Sequence, residues 1–115
     1  MAESKLRDLS TEFAVKAIKL CDSIKGHYSL VNQLERSSTS IGANIHEAQY
    51  AQSKKDFILK LEIALKEASE TGYWLELLHR TKQIDQQTFD ALSSKCTALR
   101  VMLIASCRTV KNNTK

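Results

Sequence analysis

The chain has 115 residues, 43% of them hydrophobic and 26% charged, a composition that suits one globular domain and not a disordered segment. Proline is absent and glycine occurs only three times, which argues against an all-β sandwich or barrel and leaves no glycine-rich phosphate loop. The net charge of +4 is compatible with RNA, DNA or an acidic protein as partner and specific to none of them.

Hydrophobic periodicity is helical along nearly the whole chain and predicts four segments. The first spans about residues 10–25, where Phe13, Ala17, Leu20 and Ile24 follow spacings of four, three and four. Ser10 is expected as its N-cap and Gly26 as a left-handed residue just past its end. The second spans about residues 29–51, with Leu30, Leu34, Ser37, Ile41, Asn44 and Ala48 on one face. At 1.5 Å per residue it would be roughly 35 Å long. Its run Ser37-Ser38-Thr39-Ser40-Ile41-Gly42 has poor intrinsic helix propensity. Helix there depends on packing, and its small side chains allow a neighbour to come close.

The third segment is predicted over residues 54–81. Ser53 with Asp56 reads as a capping box. Phe57, Leu61, Ala64, Ala68, Leu75 and Leu78 form an inner stripe interrupted at Thr71 and Gly72. Asp56–Lys60, Glu62–Lys66 and Glu76–Arg80 are expected as pairs one turn apart on solvated faces. The fourth is predicted over 86–110, with Asp85 as N-cap and Ile84 and Phe89 placed as a hydrophobic staple. Its stripe is Phe89, Leu92, Cys96, Leu99, Leu103, Ser106 and Val110. Val101, Met102, Ile104 and Ala105 widen the apolar face beyond what one core needs, which points to a partner helix or a second copy. Residues 111–115 are expected to fray. Short connections make consecutive helices antiparallel, so residues 1–115 are read as one all-α domain, an up-down-up-down four-helix bundle.

No stretch is long and apolar enough to cross a membrane. The first eight residues lack the apolar core of a secretion signal. Cys21, Cys96 and Cys107 are odd in number and form no C-x-x-C pair, so they read as reduced, buried apolar residues of a cytoplasmic protein. Ligand spacings for zinc are absent. Glu76-Leu77-Leu78-His79 is a lone Glu-x-x-His, whereas a di-metal bundle needs two; His79 is better read as a solvated histidine at a helix end. The hydroxyls of Ser37–Ser40 have no base placed beside them and read as packing groups bonded to the preceding turn. No catalytic residue, metal site or cofactor is expected.

Two polar sets are more informative. Arg36, Ser40, Asn44 and Glu47 share one edge of the second helix; Glu67, Glu70 and Trp74, with Tyr73 adjacent, share one edge of the third. A partly buried charge needs a partner. Arg36 is therefore expected to pair with Glu70 or Glu67, in one network with Asn44 and Tyr73. The cationic set for nucleic acid is Lys54, Lys55, Lys60, Arg100, Arg108 and Lys111. Residues 83–115 alone carry five basic and two acidic side chains. Base-stacking aromatic motifs are missing, so binding would be led by phosphate contacts.

The stretch Arg36-Ser37-Ser38-Thr39-Ser40-Ile41-Gly42-Ala43-Asn44-Ile45-His46-Glu47-Ala48 resembles the signature R-S-x-x-S-I-x-A-N-I-x-E-A/G. That signature belongs to the small four-helix-bundle family first met as 23S rRNA intervening-sequence proteins, some of whose members are encoded inside such sequences. Glu67-Ala68-Ser69-Glu70-Thr71-Gly72-Tyr73-Trp74-Leu75 is similar to the E-A-x-E-T-x-Y-W-L motif of one branch of that family. The resemblance covers about residues 10–110. It implies a four-helix bundle, assembly into ring-like homopentamers and no established catalytic residue. A related branch serves as accessory protein of diversity-generating retroelements and binds nucleic acid and a reverse transcriptase. Arg36, Ser40, Asn44, Glu47, Glu67, Glu70 and Tyr73 carry over as scaffold residues. The resulting expectation is a non-enzymatic oligomer that associates with structured RNA. The alternative is a scaffold that recruits another protein and has no nucleic-acid role.

Overall fold

The structure is a computed structural model that describes the backbone of residues 2–113 and the side chains of residues 5–113. Four helices follow one another: α1 (Ala2–Ser23), α2 (Tyr28–Ala48), α3 (Lys54–Arg80) and α4 (Gln86–Asn112). Each packs on the next, and α1 also packs on α4, while α1/α3 and α2/α4 lie across the diagonals. The result is an antiparallel up-down-up-down four-helix bundle, 49 Å long and about 20 Å wide.

One hydrophobic core runs its length. Leu6, Phe13, Leu34, Ile41, Leu75 and Leu99 are each 0–1% exposed. All six sit at helical spacing on the inner face of their own helix, so burial and helix formation reinforce each other. The core includes three thiols. Burial pushes Cys21 and Cys96 up to about 11, and Cys107 also above its ordinary value. Such thiols stay protonated and behave as small apolar groups.

α1 starts eight residues before the expected Ser10, because Leu6 and Leu9 extend the stripe of Phe13 backward. Ser10 is therefore no cap. It is fully buried, and its hydroxyl donates to the Arg7 carbonyl at 3.0 Å. Directly opposite lies Gly42 of α2, where an added Cβ would stand 3.3 Å from Ser10 Oγ. Two small residues here let α1 and α2 approach. At the far end Gly26 adopts φ +85° and His27 φ +52°, and this left-handed pair turns the chain back.

α2 ends at Ala48, not at Ala51. Beyond Ala48 the sequence offers Gln49 and the exposed Tyr50, and nothing there is left to bury. α3 ends at Arg80, with Thr81 as its C-cap. Thr71 does not interrupt its stripe. It is fully buried and bonds to Ser37 across the α2–α3 seam at 2.8 Å. α4 continues past Val110 to Asn112, so Lys111 and Asn112 are helical; residues 114–115 lie outside the described part.

The caps of α3 and α4 form. Ser53 Oγ accepts from the Asp56 amide at 3.0 Å, and Asp85 Oδ1 accepts from the Thr88 amide at 2.8 Å. That second bond holds the Asp85 carboxyl below its ordinary value. A group lowered in the folded state adds stability above its unfolded value and loses it as pH falls. Asp85→Ala is expected to lower stability near neutral pH through loss of this cap. In urea melts followed by circular dichroism, the gap between variant and parent should close as pH drops through the acid range.

Candidate functional site

The α2–α3 seam places Arg36 opposite two carboxylates. Its Nη1 donates to both oxygens of Glu67 at 3.2 Å, and its Nη2 to Glu70 at 2.7 Å. The remaining donor, Nε, reaches Gln33 at 3.2 Å. Glu67 and Glu70 are three apart on α3, so one planar guanidinium spans both. The bond to Glu67, and then the charges of both carboxylates, push the Arg36 guanidinium above its ordinary value. Glu67 is 17% exposed, so the pair is shielded on that side and open on the Arg36 side.

Asn44 and Tyr73 do not join this cluster. Asn44 donates to the Ser40 carbonyl one turn back at 2.8 Å, a bond within α2. Tyr73 is 54% exposed and tilts against Trp74, with ring centroids 5.2 Å apart. Beside it, the buried Trp74 Nε1 has no hydrogen-bond partner among the described residues. Glu47 serves a different pair, accepting from Lys60 at 2.9 Å. The expected network is thus an Arg36–Glu67–Glu70 clamp and a separate Glu47–Lys60 bridge, both crossing α2 to α3.

The cationic set is divided by its partners. Lys60 bonds to Glu47, and Lys111 bonds to Glu62 at 2.9 Å from α4 to α3. These bonds push both ammonium groups above their ordinary values. Lys54 Nζ donates to the Asn113 carbonyl at 2.7 Å and so ties the start of α3 to the end of α4. Lys55, Arg100 and Arg108 are exposed and have no carboxylate partner among the described residues. The pairs Asp56–Lys60 and Glu62–Lys66, expected along α3, are replaced by the bridges between helices; Glu76–Arg80 forms at 3.1 Å. An exposed apolar hollow of about 570 Å³, walled by Ile58 and Leu59 between Lys54, Lys55 and Glu62, adjoins this end of α3.

His79 lies in the last turn of α3, as expected, but it is not solvated. It is half-buried and stacks on Phe89 of α4, with centroids 4.3 Å apart and planes at 13°. Among the described residues no group of three or more His, Cys, Asp or Glu is arranged to hold a metal ion, and no helix is long and apolar enough to cross a membrane. Sequence reading did not identify Lys16, Lys19 and Lys95, which line a second hollow. Its signal was present as Lys16 and Lys19 three apart on one helix face, but their meeting Lys95 required the packing of α1 on α4.

The clamp makes a direct prediction. Arg36→Ala should lower stability by about 1 kcal/mol, since it leaves the shielded Glu67 without its partner. Arg36→Lys should recover less than half of that, because one ammonium cannot span both carboxylates. Thermal and urea melts of the two variants measure this.

A family model described as 23S rRNA-intervening sequence protein matches residues 2–105. Among solved structures, the chain is similar to a protein of unknown function from the S23 ribosomal protein family of Bacteroides thetaiotaomicron. The two are 43% identical, with a TM-score of 0.89, covering 94% of this chain and 99% of that one. None of the curated proteins matches it. The length of the family match, together with the close structural relative, assigns the chain: it belongs to the 23S rRNA-intervening sequence protein family.

Proposed function

We propose that the protein is a non-enzymatic, cytoplasmic homo-oligomer, a ring of five copies, that associates with structured RNA through cationic side chains repeated around the ring. The observation that carries this reading is the group of cations that are exposed and without carboxylate partners among the described residues, Lys55, Arg100 and Arg108 together with Lys16, Lys19 and Lys95. Lys54 and Lys111 lie beside Lys55 and Arg108 but are held by Asn113 and Glu62, so they add field more than free donors. One chain offers few phosphate contacts. A closed ring would multiply them, and the affinity of such a surface grows steeply with contact number.

Self-association is supported by apolar groups left in water. Leu59 is 52% and Val101 60% exposed, on adjacent helices α3 and α4. Such groups would be covered if α3 and α4 met another copy, the partner surface that the wide apolar face of α4 leads one to expect. Sequence preference should be weak, since lysine and arginine contacts to phosphate carry no base information.

Binding of a fluorescein-labelled RNA hairpin, followed by anisotropy from about 50 to 200 mM salt, tests the reading. The expected result is tight binding at low salt and a steep linear fall of log affinity with log salt. Absence of binding at the lowest salt overturns the nucleic-acid role and leaves recruitment of a protein partner as the function.

A further inference from the structure

Of the four seams between neighbouring helices, α1/α4 is the most sparsely packed. Two hollows open along it. The smaller, about 200 Å³, is floored by Leu9, Phe13 and Leu99 and carries Glu12 on its rim. The larger, about 440 Å³, is different in chemistry: Lys16 and Lys19 of α1 face Lys95 and Gln87 of α4 across a floor of Leu20 and Leu92. No carboxylate lines it. None of its three ammonium groups has an ion pair or hydrogen bond among the described residues, in contrast to Lys54, Lys60 and Lys111. Asp85, which caps the same end of α4, is committed to the Thr88 amide.

Three like charges around one hollow repel each other, and none of them forms an ion pair among the described residues, although Glu12 shares the smaller hollow with Lys95. An anion with several oxygens would relieve them, and each ammonium presents three donors to it. Lysine is suited to phosphate as a point charge that makes no demand on base identity. The hollow is shallow and open to solvent, which suits a chain lying across it more than a small molecule enclosed by it. Its position is also informative. It lies at the end of the bundle where α4 begins, whereas Lys55 and Arg108 lie towards the end where α4 finishes. Lys95 and Arg108 stand 13 residues apart on the same helix, about 20 Å along its axis. At about 100° per residue they also point to different faces of α4, so the α1/α4 hollow is a cationic surface separate from that of Lys55 and Arg108, and it alone sets three ammonium groups around one concave floor.

We infer that the hollow formed by Lys16, Lys19, Lys95 and Gln87 between α1 and α4 is the principal seat for the phosphate backbone of a bound RNA. This rests on the nucleic-acid reading above and assigns its contact surface. The family signature residues lie on α2 and α3 and take no part in it.

The experiment compares the full-length protein with the Lys16→Gln/Lys19→Gln/Lys95→Gln variant, using the labelled RNA hairpin across the salt series. All three lysines are exposed, so the helical circular dichroism spectrum should not change; Lys95→Gln alone provides a milder second variant. The triple variant is expected to bind at least about tenfold more weakly near physiological salt, with a salt slope lower by about two or more. Lys95→Gln should lower the slope by somewhat less than one. A Lys55→Gln/Arg100→Gln/Arg108→Gln variant should lose less affinity than the α1/α4 triple. If the parent binds and the α1/α4 triple matches it in affinity and slope, the seat is wrong and the nucleic-acid reading stands. If the parent fails to bind RNA, both fall. If labelled poly-glutamate binds the parent as tightly as the RNA does, the assignment to phosphate is overturned.

Discussion

The bundle depends on how closely α2 can approach α3. At the middle of that seam stand two hydroxyl residues, Ser37 and Thr71, both fully buried and bonded to each other at 2.8 Å. Thr71 Oγ1 also bonds to the Glu67 carbonyl at 2.8 Å, and Ser37 Oγ to the Leu34 carbonyl at 3.4 Å. A polar pair in an apolar core is tolerated only when satisfied, so it admits one register of α2 against α3 and penalises others. One turn outward, Arg36 grips Glu67 and Glu70, and further along Lys60 reaches Glu47. The bridges lie in the order antiparallel helices require. On the other side of α2, Gly42 opposite Ser10 does for α1 what Ser37 does for α3. The small-residue run of α2 is thus the axis against which its two neighbours are placed. That accounts for why a segment of poor helix propensity is helical throughout.

The division of charge follows from the same packing. A net charge of +4 is spread over a chain whose helices are tied at their ends by lysine: Lys60 to Glu47, Lys111 to Glu62, Lys54 to Asn113. Those contacts serve the fold and are each worth little individually, because they are exposed to solvent. Of the cations without an ion pair, Lys16, Lys19 and Lys95 meet where packing is loosest, between α1 and α4, and Arg100 and Arg108 lie exposed on α4. Architecture and electrostatics therefore distinguish the stapled seams, α2 with α3 and α3 with α4, from the open seam of α1 with α4.

Much of the fold was legible in the chain because the stripes are long and the caps are chemically distinct. Ser53, Asp85 and Gly26 could be placed from residue type alone. Errors arose where a local signal was ambiguous. Ser10 has the chemistry of a cap and, lying between Leu6 and Phe13, serves as a small core residue instead; Leu6 and Leu9 were the available sign. Thr71 reads as a break in an apolar stripe until its partner Ser37 is brought across from another helix. The clamp was partly legible, since Arg36 and the two glutamates were the right charges on facing edges, but spacing could not tell that Asn44 would bond within its own helix. Of the hollow at Lys16, Lys19 and Lys95 only the spacing of the first two was legible, because the rest combines residues 76 to 79 positions apart and depends on which seam packs least.

The claim that buried hydroxyls set the α2–α3 register is tested most directly by a double-mutant cycle on Ser37→Ala and Thr71→Val, measured by urea unfolding of the four proteins. The account predicts that each single change is destabilising and that the two are coupled by about 0.5–1.5 kcal/mol, with the double variant less damaged than the sum. Strict additivity, with the two effects independent within error, would contradict it.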